Sequence, residues 1–347
     1  MREGFLYNEL NCGNINSRIL HNKRGGLSEK MIRLCVLGEY LIDFTPQGLS
    51  ERGLPLYAQN PGGAPANVAC VAAKLGTKSA VITKISYDPL GCFLYNYMEK
   101  QKVVDMRGIV RSNDPTGLAF VVLKEDRDRD FVFYRDNCAD SMLSADDIDL
   151  SLLDECSIFH FSSVSLVSSV SAEATRFAAR YAKEHGKIVS FDINYRAMLW
   201  DSEERAIKEV EQLLGLADIV KVSEEEAVLF GGSLEHAAEK FHGLGAKIVL
   251  ITLGSQGSIY DNGLVNGLVP SYPIKAVDAT GAGDNFMGAF LAWLDHSGKE
   301  LDELNRGDLV EALRYSNAAG AICASRFGAI DGQASQDDID LFLKGIQ

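Results

Sequence analysis

From residue 31 onward, short apolar runs alternate with amphipathic stretches of helical period, and this alternation constrains the fold more than any other feature of the chain. The run at 32–38 predicts a strand closed by glycine, 66–75 a helix, and 79–85 the next strand. Pro89–Gln101 predicts a helix, with proline in its first turn and Asp88 as its cap. Strands are expected near 157–162, 187–193, 217–222 and 247–253, separated by helices near 171–185, 202–215 and 233–243. Two long helices, near 282–297 and 307–325, complete the pattern. Strands that take turns with helices pair in parallel and bury both faces, so the expected fold is α/β, with a mostly parallel sheet covered on each side.

Two segments break the rhythm. Residues 39–60 and 116–137 are strand-like with half-buried alternation and no helix between strands. Residues 116–123 and 131–135 suggest a hairpin around the charged turn at 124–130. These segments are expected to form a small antiparallel sheet that projects from the core as a lid or a contact between subunits. Residues 1–30 differ again: they are rich in Asn, Gly, Arg and Lys, without periodicity or the apolar core of a signal peptide. They read as a flexible extension, or as the product of a start placed ahead of the true one at Met31. That leaves 31–347 as the folded domain.

Lys and Arg number 34 against 48 Asp and Glu, a net charge of −14. Such a surface repels phosphate backbones and anionic lipid, so nucleic acid and membrane are not expected partners. The apolar stretches fall short of the ~20 residues that span a bilayer. Seven cysteines show no C-x-x-C pair, and several lie in apolar runs, as small buried hydrophobes of a reducing compartment do. The expected location is the cytoplasm. His236 and His242 stand six apart, on different sides of their helix, which is not metal-ligand spacing.

The strongest chemical signal is Asp278-Ala279-Thr280-Gly281-Ala282-Gly283-Asp284-Asn285, followed by an apolar helical run. It sets Gly281, Ala282 and Gly283 at a helix N-terminus, where free N–H groups and the helix dipole favour an anion and small side chains let phosphate approach. Asp284 in the first turn can take a proton from an attacking hydroxyl, as a general base does in phosphoryl transfer. An acidic residue there also simply stabilises a helix start, and both readings stand for this motif alone. No G-x-x-x-x-G-K-[ST] occurs. The second signal is Pro61-Gly62-Gly63-Ala64-Pro65-Ala66-Asn67, glycines feeding another helix. Exposed backbone at Gly62 and Gly63 with the Asn67 amide suits a polyol, and equally suits a plain turn.

Together, and in this order, the two motifs resemble the signatures of the ribokinase-like (PfkB) carbohydrate kinases, from about residue 32 to the C-terminus. The resemblance implies a three-layer αβα core, a β-lid that pairs two chains into a homodimer, and ATP-dependent phosphorylation of a sugar hydroxyl with Mg²⁺. It makes Asp284 the catalytic base and Gly281-Ala282-Gly283 the anion hole. Gly38-Glu39 with Leu41-Ile42-Asp43-Phe44 resembles the opening of the fructokinases within that family, where the aspartate binds sugar hydroxyls. Thr116–Val121 and Phe131–Arg135, with Ala139-Asp140 following, are similar to the fructokinase lid, which makes Arg135 a substrate contact.

Asp192-Ile193-Asn194-Tyr195-Arg196 is similar to a stretch shared by fructokinases and 2-keto-3-deoxygluconate kinases. It puts Arg196 near the transferring phosphate, or in a structural ion pair, and Asn194 on the nucleotide side. Ser223 and Glu226 match the family's region near the phosphates and magnesium, and match an ordinary capping box as well. Thr252, Gly254 and Gly257 correspond to the ATP-side loop, and Asn317 to the adenine pocket or to core. The family's monovalent-cation site, K⁺ for example, maps to Asp278 and Thr280, with backbone of Cys323, Arg326 and Gly328. Asn285 departs from the small residue that many relatives carry after the aspartate. The implied activity is fructokinase, with 2-keto-3-deoxygluconate kinase or another sugar kinase as rivals. A non-catalytic kinase-like scaffold is disfavoured by the intact Asp284 and glycines.

Overall fold

The computed structural model describes residues 31–123 and 129–345. The extension at 1–30 and most of the turn at 124–130 lie outside the described residues. Strand β1 (Leu34–Leu37) runs through the centre of the molecule and passes directly into β2 (Leu41–Leu49) and β3 (Pro55–Gly62). Next come α1 (Ala64–Lys74), β4 (Ser79–Ser86), α2 (Pro89–Gln101) and the short β5 (Val104–Asp105) and β6 (Ile109–Ser112). Strands β7 (Leu118–Leu123) and β8 (Arg129–Tyr134) form the second excursion. The chain then re-enters the core through α3 (Leu150–Glu155), β9 (Ile158–Ser162), α4 (Ser169–Glu184) and β10 (Ile188–Asp192). It continues with α5 (Glu203–Leu214), β11 (Ile219–Ser223), α6 (Glu224–Gly231), α7 (Ala237–Leu244) and β12 (Ile248–Thr252). Strands β13 (Ser258–Asp261) and β14 (Asn266–Val269) and helices α8 (Ala282–Ser297), α9 (Arg306–Ala324) and α10 (Gln336–Lys344) complete it.

The large sheet runs β14-β13-β12-β11-β10-β9-β1-β4-β5, with β6 also on β4. From β4 to β12 every pairing is parallel, and only β13 and β14 turn antiparallel at the edge. Alternation along each strand sends side chains to two cores. Leu34, Val36, Ile219 and Leu250 meet Val68, Phe286, Phe290 and Leu313 of α1, α8 and α9 on one face. Cys35, Phe159, Phe191 and Val220 meet Ala178, Leu213, Phe230 and Phe241 of α4 to α7 on the other. This is the expected three-layer α/β core. Cys35, Cys70, Cys138, Cys156 and Cys323 are free and buried, as small hydrophobes, whereas Cys92 is disulfide-bonded, which departs from the expectation of cysteines without disulfides. No described helix is long and apolar enough to cross a membrane.

The lid is a separate sheet of order β3-β2-β7-β8. It differs from the expectation in one pairing: β2 and β7 run parallel, while β2–β3 and β7–β8 are antiparallel. Other departures are local. The helix expected near 233–243 is α7, and a separate helix, α6, precedes it and stops at Gly232, at φ 88. Helix α10 and the β13–β14 pair were not foreseen.

Order in the sheet decides where a ligand goes. Strand β1 connects to β4 on one side and is flanked by β9 on the other, so neighbouring crossovers leave in opposite directions. They open a crevice at the carboxyl ends of the strands, where α/β sheets bind their ligands.

Candidate active site

A cleft of about 950 Å³ lies at those carboxyl ends, roofed by the lid. Its floor comes from Val164 after β9, Asn194 and Arg196 after β10, Lys221 and Ser223 of β11, and Thr252 at the end of β12. Its roof comes from Glu39 and Asp43 at the root of the lid and from Phe131 and Phe133 of β8. Gly281, Gly283 and Asp284 at the start of α8, with Gly63, Ala64 and Asn67 at the start of α1, form one wall.

Two glycines bring these walls together. Gly288, one turn beyond Asp284, packs so tightly on α1 that a Cβ there would stand 2.7 Å from Val71 Cβ. The close approach of α1 and α8 lets Asn67 Nδ2 donate to Asp284 Oδ2 at 2.8 Å. Gly281, at φ 77, is the N-cap of α8, and a side chain there would meet the backbone of Ala329. This places Gly281 and Gly283 at the helix start in the cleft wall, while Ala282 N donates to Ala279 O at 3.2 Å. Asn285 braces this turn from behind, donating to Gly281 O at 2.9 Å and to Cys323 Sγ at 3.2 Å.

Charge in the cleft is concentrated and poorly hydrated. Burial pushes the Asp284 carboxyl above its ordinary range, and the Asn67 bond, Lys221 and Arg196 pull it back. Burial pushes Asp43 up to about 7, with Asp284 and Glu39 adding repulsion. Glu39 is likewise pushed up to about 7 by burial, against the pull of Arg135. One Glu39 oxygen accepts from Ala64 N at 2.9 Å, while its other oxygen and Asn67 Oδ1 are buried without a protein partner among the described residues. Buried acceptors left open in a cleft wall call for donors from a ligand.

The nucleotide-side residues divide. Asn194, at φ 46, turns the chain after β10 so that Tyr195 N donates to Glu226 at 2.5 Å. Ser223 and Glu226 form the capping box of α6 and also line the cleft, so both readings of that motif hold geometrically. Thr252 lines the cleft and donates to Val222 O at 3.3 Å. Gly254 and Gly257 lie beyond its lining, on the turn between β12 and β13. Asn317 is occupied inside the fold: Oδ1 accepts from Ser258 at 3.0 Å and Nδ2 donates to Val269 O at 3.1 Å.

Arg135 is also turned away from the expected place. It is buried in an ion pair with Asp140 at 2.6 Å and donates to Val164 O at 3.2 Å, outside the cleft lining. Arg196 does line the cleft, with one nitrogen on the neighbouring Tyr195 carbonyl. Asp278 accepts from Thr280 N at 2.8 Å and from Gly328 N at 3.3 Å, and the Cys323 thiol lies 3.5 Å from Thr280 O, so the two loops expected to share a cation touch. Two charged residues escaped a functional reading from sequence. One is Glu39; the other is Lys221, buried in β11 with its ammonium on Asp192 at 2.9 Å and 3.1 Å. A lysine between Val220 and Val222 in an apolar strand was the available signal.

Hydrogen-bonding carboxylates over a glycine-rich helix start, at the crevice of a parallel sheet, suit phosphoryl transfer to a polyol, and fold and cleft together define a sugar kinase. The chain belongs to the pfkB family of carbohydrate kinases, whose family model matches residues 31–336. It is 40% identical to a probable fructokinase-5 of Arabidopsis thaliana, over 88% of this chain and 96% of that protein. It is 38% identical to fructokinase-1 of Zea mays, over 87% and 94%. Among solved structures it resembles a fructokinase with bound ATP from Xylella fastidiosa, with TM-score 0.83 and 31% identity over 91% of this chain and 98% of that one. A putative ribokinase II from E. coli in complex with ATP and Mg²⁺ gives 0.80 and 30%, over 91% and 100%.

Proposed function

We propose that this protein is an ATP-dependent fructokinase that phosphorylates a hydroxyl of D-fructose, with residues 31–347 as its kinase domain. The observation that carries the reading is the bond between Asn67 and Asp284 beneath Asp43, which gathers a base and two sugar-binding groups from three elements. Asp43, Asn67 and the Gly62-Gly63 backbone hold the sugar, and Glu39 accepts from a further hydroxyl. Asp284 takes the proton of the attacking hydroxyl as its oxygen bonds to the γ-phosphorus. The bond from that phosphorus to the β-phosphate oxygen breaks, and ADP leaves with the electron pair. N–H groups of Gly281, Ala282 and Gly283 and the Arg196 guanidinium receive the charge that builds on the phosphoryl oxygens.

The nucleotide lies along Asn194, Ser223 and Thr252, towards Gly254 and Gly257. Mg²⁺ is bound chiefly by phosphate oxygens and water with one or two carboxylates, and Glu225 and Glu226 in the floor are the carboxylates that fit. The ion neutralises phosphate charge when bound. A monovalent cation between the loops of Asp278–Thr280 and Cys323–Gly328 belongs to the same reading, supported by their contact.

The test is ADP release with Mg-ATP across fructose, 2-keto-3-deoxygluconate, ribose, adenosine and tagatose. Preference for fructose is expected. Preference for the keto acid would overturn the acceptor and leave the class, with Arg196 as the cation for its carboxylate. Arg135 is unsuited to that task because Asp140 already holds it.

We also propose a homodimer through the outer face of the lid. Phe44, Tyr57, Phe120 and Tyr134 form one ring cluster there, with Phe44 and Phe120 stacked at 4.8 Å. Tyr134 remains 61% exposed and Leu49 69%, an apolar patch that a second copy would cover. Analytical ultracentrifugation is expected to give a dimer, and Tyr134→Glu a monomer. A wild-type monomer at micromolar concentration would remove the proposal.

A further inference from the structure

Lys221 is the one buried cation in the floor with no role so far. Its strand neighbours Val220 and Val222 are wholly buried, so an ammonium there is costly unless paired, and the pair is Asp192. The pair stands toward the carboxyl ends of β10 and β11, and Lys221 lines the cleft. The ammonium faces the start of α8: a Cβ added to Gly283 would lie 3.2 Å from Lys221 Nζ. Only the missing side chain of Gly283 brings this cation beside the first-turn N–H groups. Two positive features, helix terminus and ammonium, therefore meet at one point next to Asp284.

We propose that Lys221 is a further catalytic residue, whose ammonium contacts an oxygen of the transferring phosphoryl group through the gap left by Gly283, and that Asp192 is the positioning residue that holds it there. The inference deepens the kinase reading above and rests on it. As the phosphorus moves from the β-phosphate oxygen to the sugar oxygen, charge is spread over its equatorial oxygens, and a fixed cation that needs no reorganisation is worth most at that moment. Asp192 also restrains the lysine. Released, the ammonium would swing onto the Asp284 carboxylate and quench the base. With Asp192 on both lysine bonds, Asp284 keeps its own partner, Asn67.

Groups facing Asp284 come from several elements: Asn67 of α1, Asp43 of β2, Asp192 of β10, Arg196 after β10, Lys221 of β11 and the buried Cys323 of α9. Those facing Lys221 are Asp192, Glu226, Asp284 and the buried His160. Burial disfavours a charged Lys221, but Asp192 and Glu226 outweigh it and keep the ammonium protonated.

The experiment compares Lys221→Met, Asp192→Asn and the double variant on whichever sugar the wild type phosphorylates fastest, so failure of the fructose assignment leaves the test intact. Lys221→Met is expected to lower kcat about 100-fold with the sugar KM within about twofold. It moves the acidic limb of the kcat profile to higher pH, because Asp284 loses a cation. Asp192→Asn moves that limb to lower pH, because the freed ammonium approaches Asp284. The double variant removes both charges and preserves folding and volume; it is expected to stay as slow as Lys221→Met. Recovery of wild-type turnover in the double variant, or limbs that stay in place, would show the pair to be structural and overturn the proposal.

Discussion

Asp284→Asn is expected to lower kcat about 1,000-fold while the KM for sugar and for Mg-ATP change by only a few-fold, the signature of a lost general base. Size and hydrogen-bonding shape are kept, so Asn67 can still bond the new amide through its own reoriented group, and α8 keeps its start. What disappears is the acceptor for the hydroxyl proton. Steady-state kinetics with a thermal melt to confirm folding checks this; a folded variant with ordinary turnover would end the assignment of the base. In the wild type, kcat should fall on the acid side as Asp284 takes up a proton, and at higher pH than for an exposed aspartate, because burial raises its pKa.

Asp43→Asn is expected to give a protein that is more heat-stable and a poorer kinase. The sign follows from the carboxyl's pKa, about 7 in the fold against roughly 3.9 unfolded. A raised carboxyl pKa means that the folded state holds a proton the unfolded chain has released, so stability falls as pH climbs from about 4 through 7. At pH 8 the wild type carries that penalty in full, and the amide does not. Tm at pH 8 should therefore rise by a few degrees in Asp43→Asn, with little change at pH 4. Function moves the other way: loss of charge-assisted bonds to sugar hydroxyls should raise the sugar KM about 10- to 100-fold, leaving the Mg-ATP KM alone. Melting curves at the two pH values and a kinetic run check both arms. Equal melting temperatures at pH 8 would show that the carboxyl is not under strain.

What the sequence made legible was local. Apolar runs and glycines marked β1, α1, α2, α8 and α9, because strand and helix periods and cap chemistry are read within a turn or two. Asp284, Gly281 and Asn67 were legible for the same reason: each sits in a short motif whose backbone geometry its own glycines dictate. Helix α10 had a readable signal in the Ser335 and Asp338 capping box, but its amphipathic stretch is only nine residues long. The strands β13 and β14 are four residues each, too short for alternation to stand out.

Pairings across the fold were not legible. Lys221 meets Asp192 from a neighbouring strand, 29 residues away in sequence. Arg135 was read toward substrate, but the turn that follows β8 brings Asp140 back onto it, and a buried guanidinium takes the nearest carboxylate. Asn317 was read toward adenine, but β13 and β14 fold against α9 and consume its amide. In each case the residue type suited the expected task, and a partner brought in by the folded chain, local for Arg135 and distant for Lys221 and Asn317, occupies it.

The lid leaves the core at only a few points, and those points carry the proposed sugar site. Glu39 follows β1, Gly62 and Gly63 end β3, and a Cβ on Gly62 would stand 1.9 Å from Asp43 Oδ2. The helix start at Gly281 and the floor at Ser223 and Thr252 belong to other elements entirely. On the proposed reading, acceptor and donor recognition are written largely in separate stretches of chain. A lineage can rewrite β2, β3, β7 and β8 to take a new polyol without disturbing the phosphate machinery, and an engineer grafting those strands from a relative would be following the same seam.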